Sequence, residues 1–176
     1  MADRYVYLIS SLPSLSFGAK PPFTFAGFLK TCEGLVSKED MEVVRSAGDL
    51  ISGPAAAKNG ALKVWKSFET MLRNELVAVR AARKKIDPAK YLREDGYPES
   101  SYAAYMAINA GRKPSLIEAE KSLDLDRWHQ LDEFAIGHYF DTDILVIYAC
   151  KLLILEKWDK IGSADSGKLL EEALKL

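Results

Sequence analysis

From Phe134 to Ile161 the chain reads FAIGHYFDTDILVIYACKLLILEKWDKI, and between Ile144 and Leu155 every residue is apolar except Lys151. A helix lying on a protein surface carries a polar stripe, and this run has almost none. It is also shorter than the roughly 18–20 residues needed to cross a bilayer. The run therefore predicts a central helix, enclosed on all sides by neighbouring helices and with no catalytic pocket behind it.

The rest of the chain is punctuated by helix starts and stops. Tyr5 to Ile9 is apolar and fits a short helix, because no other segment has the alternation that a partner strand requires. Residues 12–23 form a Pro/Gly/Ser loop. Thr24 caps a helix predicted through Leu35, with Phe23 and Phe28 as its hydrophobic staple. Ser37 caps the next, with Asp40 at the third helical position and Val36 and Met41 as the staple. Gly53-Pro54 breaks the pattern, and residues 52–60 are the loosest stretch, a candidate mobile linker. From Gly60 to Ile86, Trp65, Phe68, Leu72, Leu76, Val79 and Ile86 recur at helical spacing and predict one long amphipathic helix.

Asp87-Pro88 ends that helix and opens a short one. Asp95-Gly96 is a turn, and Pro98 begins a helical segment through Ile108. After Lys113-Pro114 comes a capping box, Ser115-Leu116-Ile117-Glu118. Asp124 is expected to cap a further helix, stapled by Leu123 and Trp128. Asp141 or Thr142 precedes the apolar helix, Gly162 ends it, and residues 166–175 look like a last short helix. These features predict an all-α, multi-helix bundle in a single helical domain over 1–176, with one long amphipathic helix and a buried apolar C-terminal helix.

Formal net charge is −1, which removes any global pull toward nucleic acid or acidic lipid. Charge is unevenly spread, however. Residues 73–90 hold six basic groups (Arg73, Arg80, Arg83, Lys84, Lys85 and Lys90) against Glu75 and Asp87, whereas residues 118–143 hold eight acids against Lys121 and Arg127. The two sets can pair within the fold or face partners. The two cysteines, Cys32 and Cys150, lie in apolar helical contexts without CxxC spacing and are expected to be reduced, buried thiols. No signal-peptide pattern precedes Pro13.

Patterns that would carry chemistry fail on inspection. Gly162 to Lys168 fits the GxxxxGK part of a phosphate-binding loop, but Leu169 stands where a magnesium-binding hydroxyl belongs. Asp141-Thr142-Asp143 lacks the glycine and the further oxygen ligands of a calcium loop, so helix capping is the expected role. Neither His129 nor His138 has the Glu-x-x-His spacing of a bundle metal centre, which predicts one surface histidine and one satisfied near the core. There is no Gly-x-Ser-x-Gly elbow. The sequence thus assigns no catalytic residue, no cofactor and no metal ligand. The basic face of the long helix, Arg73, Arg80, Arg83 and Lys84, lacks the interleaved aromatics of a nucleic-acid module. It is a solvated face or a docking surface for an acidic protein.

Three blocks together resemble a known family. They are Tyr5-Val6-Tyr7-Leu8-Ile9-Ser10-Ser11-Leu12-Pro13-Ser14-Leu15-Ser16-Phe17; Phe68-Glu69 to Arg83, with Asn74-Glu75-Leu76 and Arg80-Ala81-Ala82-Arg83; and Leu116 to Glu120, Asp126-Arg127-Trp128, Leu131-Asp132, Phe140-Asp141 and Tyr148 to Leu152, ending in Gly162. They are similar to a small bacterial family whose genes accompany V-type (archaeal-type) ATPases. That family is similar in turn to a reduced version of the wholly helical stalk-cap protein of those ATPases, which caps the central stalk and joins it to the membrane ring. Phe140, Tyr148, Lys151, Glu156 and Lys157 resemble the last long helix of the stalk cap. The stalk cap is a considerably longer protein of several similar bundles, of which this chain could supply only one or two.

The resemblance implies a non-catalytic structural or accessory component of the V-type ATPase, cytoplasmic and peripheral to the membrane. Its partners would be the proteins of the stalk and of the membrane ring, met through Arg73, Arg80, Arg83 and Lys84. It implies neither nucleic-acid binding nor direct membrane insertion. The alternatives are a stand-alone helical interaction module, or an enzyme whose site is assembled from distant residues.

Overall fold

The computed structural model describes residues 5–49, 60–93 and 101–163. Among them are seven α-helices and no strand: α1 (Val6–Ser11), α2 (Phe25–Cys32), α3 (Lys38–Ser46), α4 (Gly60–Lys84), α5 (Ser101–Gly111), α6 (Leu116–Phe134) and α7 (Thr142–Ser163), with a 3-10 turn at Ala89–Tyr91. The fold is all-helical. The Gly53-Pro54 break, most of the candidate linker, the Asp95-Gly96 turn, Pro98 and the final short helix lie outside the described residues.

Helix α7 is the axis of the bundle and packs against α2, α3, α4 and α6. Leu145, Val146, Ile147, Ala149, Cys150, Leu152, Ile154 and Leu155 are all buried, which accounts for the missing polar stripe. Lys151 escapes by its length. Its ammonium lies 5.0 Å from the centre of the Trp128 ring and bonds Asp132 at the surface. Tyr148 stacks its ring near Phe23 and Phe28 and donates its hydroxyl hydrogen to the Pro13 carbonyl at 2.9 Å. That bond fastens the Pro-containing loop onto the axis.

Most predicted caps form. Thr24 Oγ1 accepts from Gly27 N–H, Ser37 Oγ from Asp40 N–H, and Ser115 Oγ from Glu118 N–H. Phe23 stacks on Phe28 as the staple requires. Helix α2 stops at Cys32, short of Leu35, because Gly34 turns into the left-handed region at φ +77°. Helix α4 stops at Lys84, short of Ile86. There Ile86 N–H reaches Ala81 O and Lys85 N–H reaches Ala82 O, while Lys85 takes φ +54°. This paired closure is the Schellman stop, built here on a lysine instead of a glycine. In α4, Trp65, Phe68 and Leu72 are buried, Leu76 and Val79 are half-buried, and Ile86 is exposed beyond the helix end.

Three further boundaries differ from expectation: α5 runs on past Ile108 to Gly111, α7 runs through Gly162 to Ser163, and the break expected at Asp124 is absent. Asp124 does not cap a new helix: α6 runs unbroken from Leu116 to Phe134 with Asp124 in its middle. The Leu123/Trp128 spacing that suggested a staple is the ordinary inward face of a continuing helix, and both residues are buried in it. Asp124 itself is only 1% exposed.

Candidate functional site

Burying a carboxylate is unfavourable unless cations and hydrogen-bond donors surround it. Asp124 has all of these. Its Oδ1 accepts from Arg127 Nη1 at 2.9 Å, and its Oδ2 accepts from Trp158 Nε1 at 2.8 Å and from Lys157 Nζ. Arg127 turns its remaining fork to α4, with Nε 2.7 Å and Nη2 3.2 Å from the two Glu69 oxygens. Lys157 also bonds Glu120 at 2.8 Å. The result is a bidentate, charge-assisted network that ties α4, α6 and α7 together at one level of the bundle.

The electrostatics follow the geometry. Burial works against the Arg127 charge, but Glu69, then Asp124 and Glu120, outweigh it and hold the guanidinium above its ordinary range. Burial likewise opposes ionisation of Glu120, yet the Lys157 hydrogen bond and charge, helped by Arg127 and Arg80, hold its carboxyl below the ordinary value. The network is not solidly packed. A cavity of about 230 Å³ sits against it, bordered by Trp65, Glu69, Asp124, Arg127, Cys150 and Lys157. The apolar helix is enclosed as expected, but it does have a cavity beside it. Sequence reading missed this, because the lining comes from four distant segments, the end of α3 and helices α4, α6 and α7.

A second cavity, of about 360 Å³, shares Glu69 and Arg127 with the first and is also bordered by Lys66, Thr70, Arg73, Arg80 and Arg93. Its rim is fixed by side-chain-to-backbone bonds. Asn74 Nδ2 donates to Arg93 O at 2.9 Å, and Asn74 Oδ1 accepts from Arg93 N–H at 3.0 Å. Arg73 Nη1 donates to Tyr91 O at 3.1 Å. These bonds strap residues 91–93 along α4 and bring Arg93 to the cleft.

The four residues expected to form a partner surface do not share one face. Arg73 and Arg80 line the cationic cleft. Arg83 turns to the end of α5, where it donates to the Gly111 carbonyl. Lys84 stands exposed at the end of α4. Among the described residues no carboxylate lies within ion-pair distance of any of them, nor of Arg93. The acidic stretch 118–143 forms its ion pairs with Arg127, His138, Lys151 and Lys157, and among the described residues the basic run reaches it only at longer range, where Arg80 helps hold the Glu120 carboxyl down. Sequence reading missed Lys66, Arg93 and Arg127. Only the Asp124/Arg127 spacing of three residues hinted at the last.

The histidines divide as expected. His129 is exposed and His138 is partly buried and hydrogen-bonded. His138 Nδ1 lies 2.7 Å from Asp141 Oδ2 and 3.5 Å from Asp143 Oδ2, and donor atoms of all three fall within 4.8 Å of one another. That spacing would admit a cation, but each group already has structural work. Asp141 Oδ1 accepts from Ile144 N–H at 3.0 Å and caps α7, while Asp143 Oδ1 accepts from Ala61 N–H at 3.1 Å at the start of α4. Capping was the role expected for this Asp-Thr-Asp segment. Both cysteines are free and buried.

Residues 106–175 match a family of proteins of unknown function, DUF2764. Within the described residues that stretch carries α6 and α7, and so Asp124, Arg127, Lys157 and Trp158. Lys66, Glu69, Arg73, Arg80 and Arg93 precede it. No curated protein and no solved structure matches the chain. No described helix is long and apolar enough to cross a membrane.

Proposed function

We propose that this chain is a non-catalytic helical adaptor that docks on an acidic protein surface through the basic edge of α4. The observation that carries this is charge. Arg73, Arg80, Arg83 and Lys84 lie along one helix with no carboxylate at ion-pair distance among the described residues. Like charges spaced along one helix repel one another in the free protein, and a complementary surface relieves that repulsion. A bundle cross-tied by the Glu69–Arg127–Asp124–Lys157 network suits a part that must hold its shape under load.

The resemblance to proteins encoded with V-type ATPases supplies the partner class: proteins of the stalk or of the membrane ring, reached from the cytoplasmic side. Affinity capture from native membranes tests this, with the wild type recovering ATPase components. Arg80→Glu combined with Lys84→Glu is the informative variant, since Arg83 is engaged with Gly111. It should lose that recovery while keeping its helical circular dichroism. Equal recovery by wild type and variant, or none by either, overturns the proposal.

A further inference from the structure

We infer that the groove between the C-terminal half of α4 and the α5–α6 corner receives an acidic amphipathic helix of the partner, which seats an apolar side chain beside Val79 and Leu116. The inference rests on the adaptor reading and states what the partner must bring: apolar anchors flanked by carboxylates.

The groove has an apolar floor. Leu76 and Val79 of α4, Ala110 of α5, and Ala119 and Leu123 of α6 line it, and the short alanine side chains leave the space between the helices open. Leu116 borders the same space with 83% of its surface exposed, and its neighbour Ile117 is also exposed. An apolar patch of this kind, rimmed by polar groups, marks an interaction site.

The volume decides the class of occupant. At about 260 Å³ the groove is smaller than the roughly 300–1,000 Å³ of small-molecule sites. It has room for one or two side chains carried by a partner, the usual anchors of a helix laid in a groove.

The rim decides the sign. Arg80, Arg83 and Lys113 border the groove, and among the described residues none of them has a carboxylate at ion-pair distance. Arg83 lies across the bare α-carbon of Gly111. It donates to the Gly111 carbonyl, and a β-carbon on that residue would stand 2.7 Å from its Nη2. The carboxylate on the lining, Glu120, is bonded to Lys157 at 2.8 Å and also feels Arg80. Exposed rim charges select which partner is admitted, whereas the apolar floor supplies the binding energy.

The test is a fluorescence anisotropy titration of the purified chain with a labelled synthetic amphipathic helix, bearing Leu along one face and Glu on either side. Two counterparts are run beside it, one with Leu replaced by Gln and one with Glu replaced by Lys. Saturable binding of the first is expected, with both counterparts at least about tenfold weaker. Leu116→Asp sets a carboxylate at the groove edge and should weaken the first peptide about tenfold or more. Lys113→Glu should do the same. Lys121→Glu, the same change of charge on α6 away from the lining, should change binding less than about twofold. All three residues are exposed, so the helical circular dichroism should be unchanged. No saturable binding, equal binding of the Gln counterpart, or equal weakening by Lys113→Glu and Lys121→Glu overturns the inference. The adaptor reading fails separately. It falls if the wild type recovers no ATPase components from membranes, whatever the peptide does, and it survives if recovery persists while the peptide does not bind.

Discussion

The indole N–H of Trp158 meets the carboxylate of Asp124 at 2.8 Å across the α6–α7 interface, where Asp124 is 1% exposed. That contact closes a ring of donors around a charge that could not otherwise be buried. Asp124→Ala leaves Lys157, Arg127 and the indole facing an empty site. Removing one partner of a buried ion network costs about 3–5 kcal/mol, and a chain of this size loses roughly 2–4 °C in Tm per kcal/mol. The expected fall is on the order of 10 °C by scanning calorimetry. Asp132→Ala removes only the half-exposed partner of Lys151 and should cost about 1 kcal/mol or less. Equal losses in the two variants would show that the Asp124 network is not a stabilising tie.

Asp143 stands 82 residues from Ala61 in sequence yet accepts its N–H at 3.1 Å, so α7 supplies the N-terminal cap of α4. Asp143→Ala should cost about 1 kcal/mol, the usual worth of a cap. It should also speed hydrogen exchange in the first turn of α4 while leaving the first turn of α7, capped by Asp141, protected. Asp141→Ala should reverse that pattern. Uniform exchange changes in both variants would refute separate capping roles.

Burial pushes the Cys32 thiol up to about 11 and raises Cys150 further. Thiolates are the reactive species, so neither cysteine should react with a chromogenic disulfide reagent at pH 8 in the native protein. Both should react in guanidinium chloride. A fast native reaction at either residue would mean that the core around α7 opens readily.

Two carboxylates give opposite pH signatures. The folded state lowers the Glu120 pKa, so its contribution is present above its ordinary value of 4.5 and is lost as pH falls through the lower folded value. Glu120→Gln should flatten that acid limb of the Tm profile. Asp126 is shifted upward by burial, against the pull of His129 and Lys113, and its Oδ2 has no hydrogen-bond partner among the described residues. A raised acid pKa favours the folded state at low pH and loses that benefit as pH rises through the folded value. Asp126→Asn should therefore raise Tm at pH 7 and leave it unchanged near pH 3. The reverse dependence would contradict the assigned environment.

The sequence by itself determined the helices and the identity of the central one. Both follow from contacts within a few residues: an apolar run with no polar face, Ser and Thr oxygens three residues before the amides they cap, and Phe23 placed to stack on Phe28. Asp124 shows where such local logic ends. Its spacing suits a cap as well as a core charge, and the choice fell to Lys157 and Trp158, more than thirty residues away. The same holds for the basic helix. Its positive charge is legible in the chain, but only the packed bundle turns Arg83 toward Gly111 and joins Lys66, Arg73, Arg80 and Arg93 around one cavity. Caps and stripes are set by neighbours along one helix, whereas the partner of a buried charge is set by which helices come together.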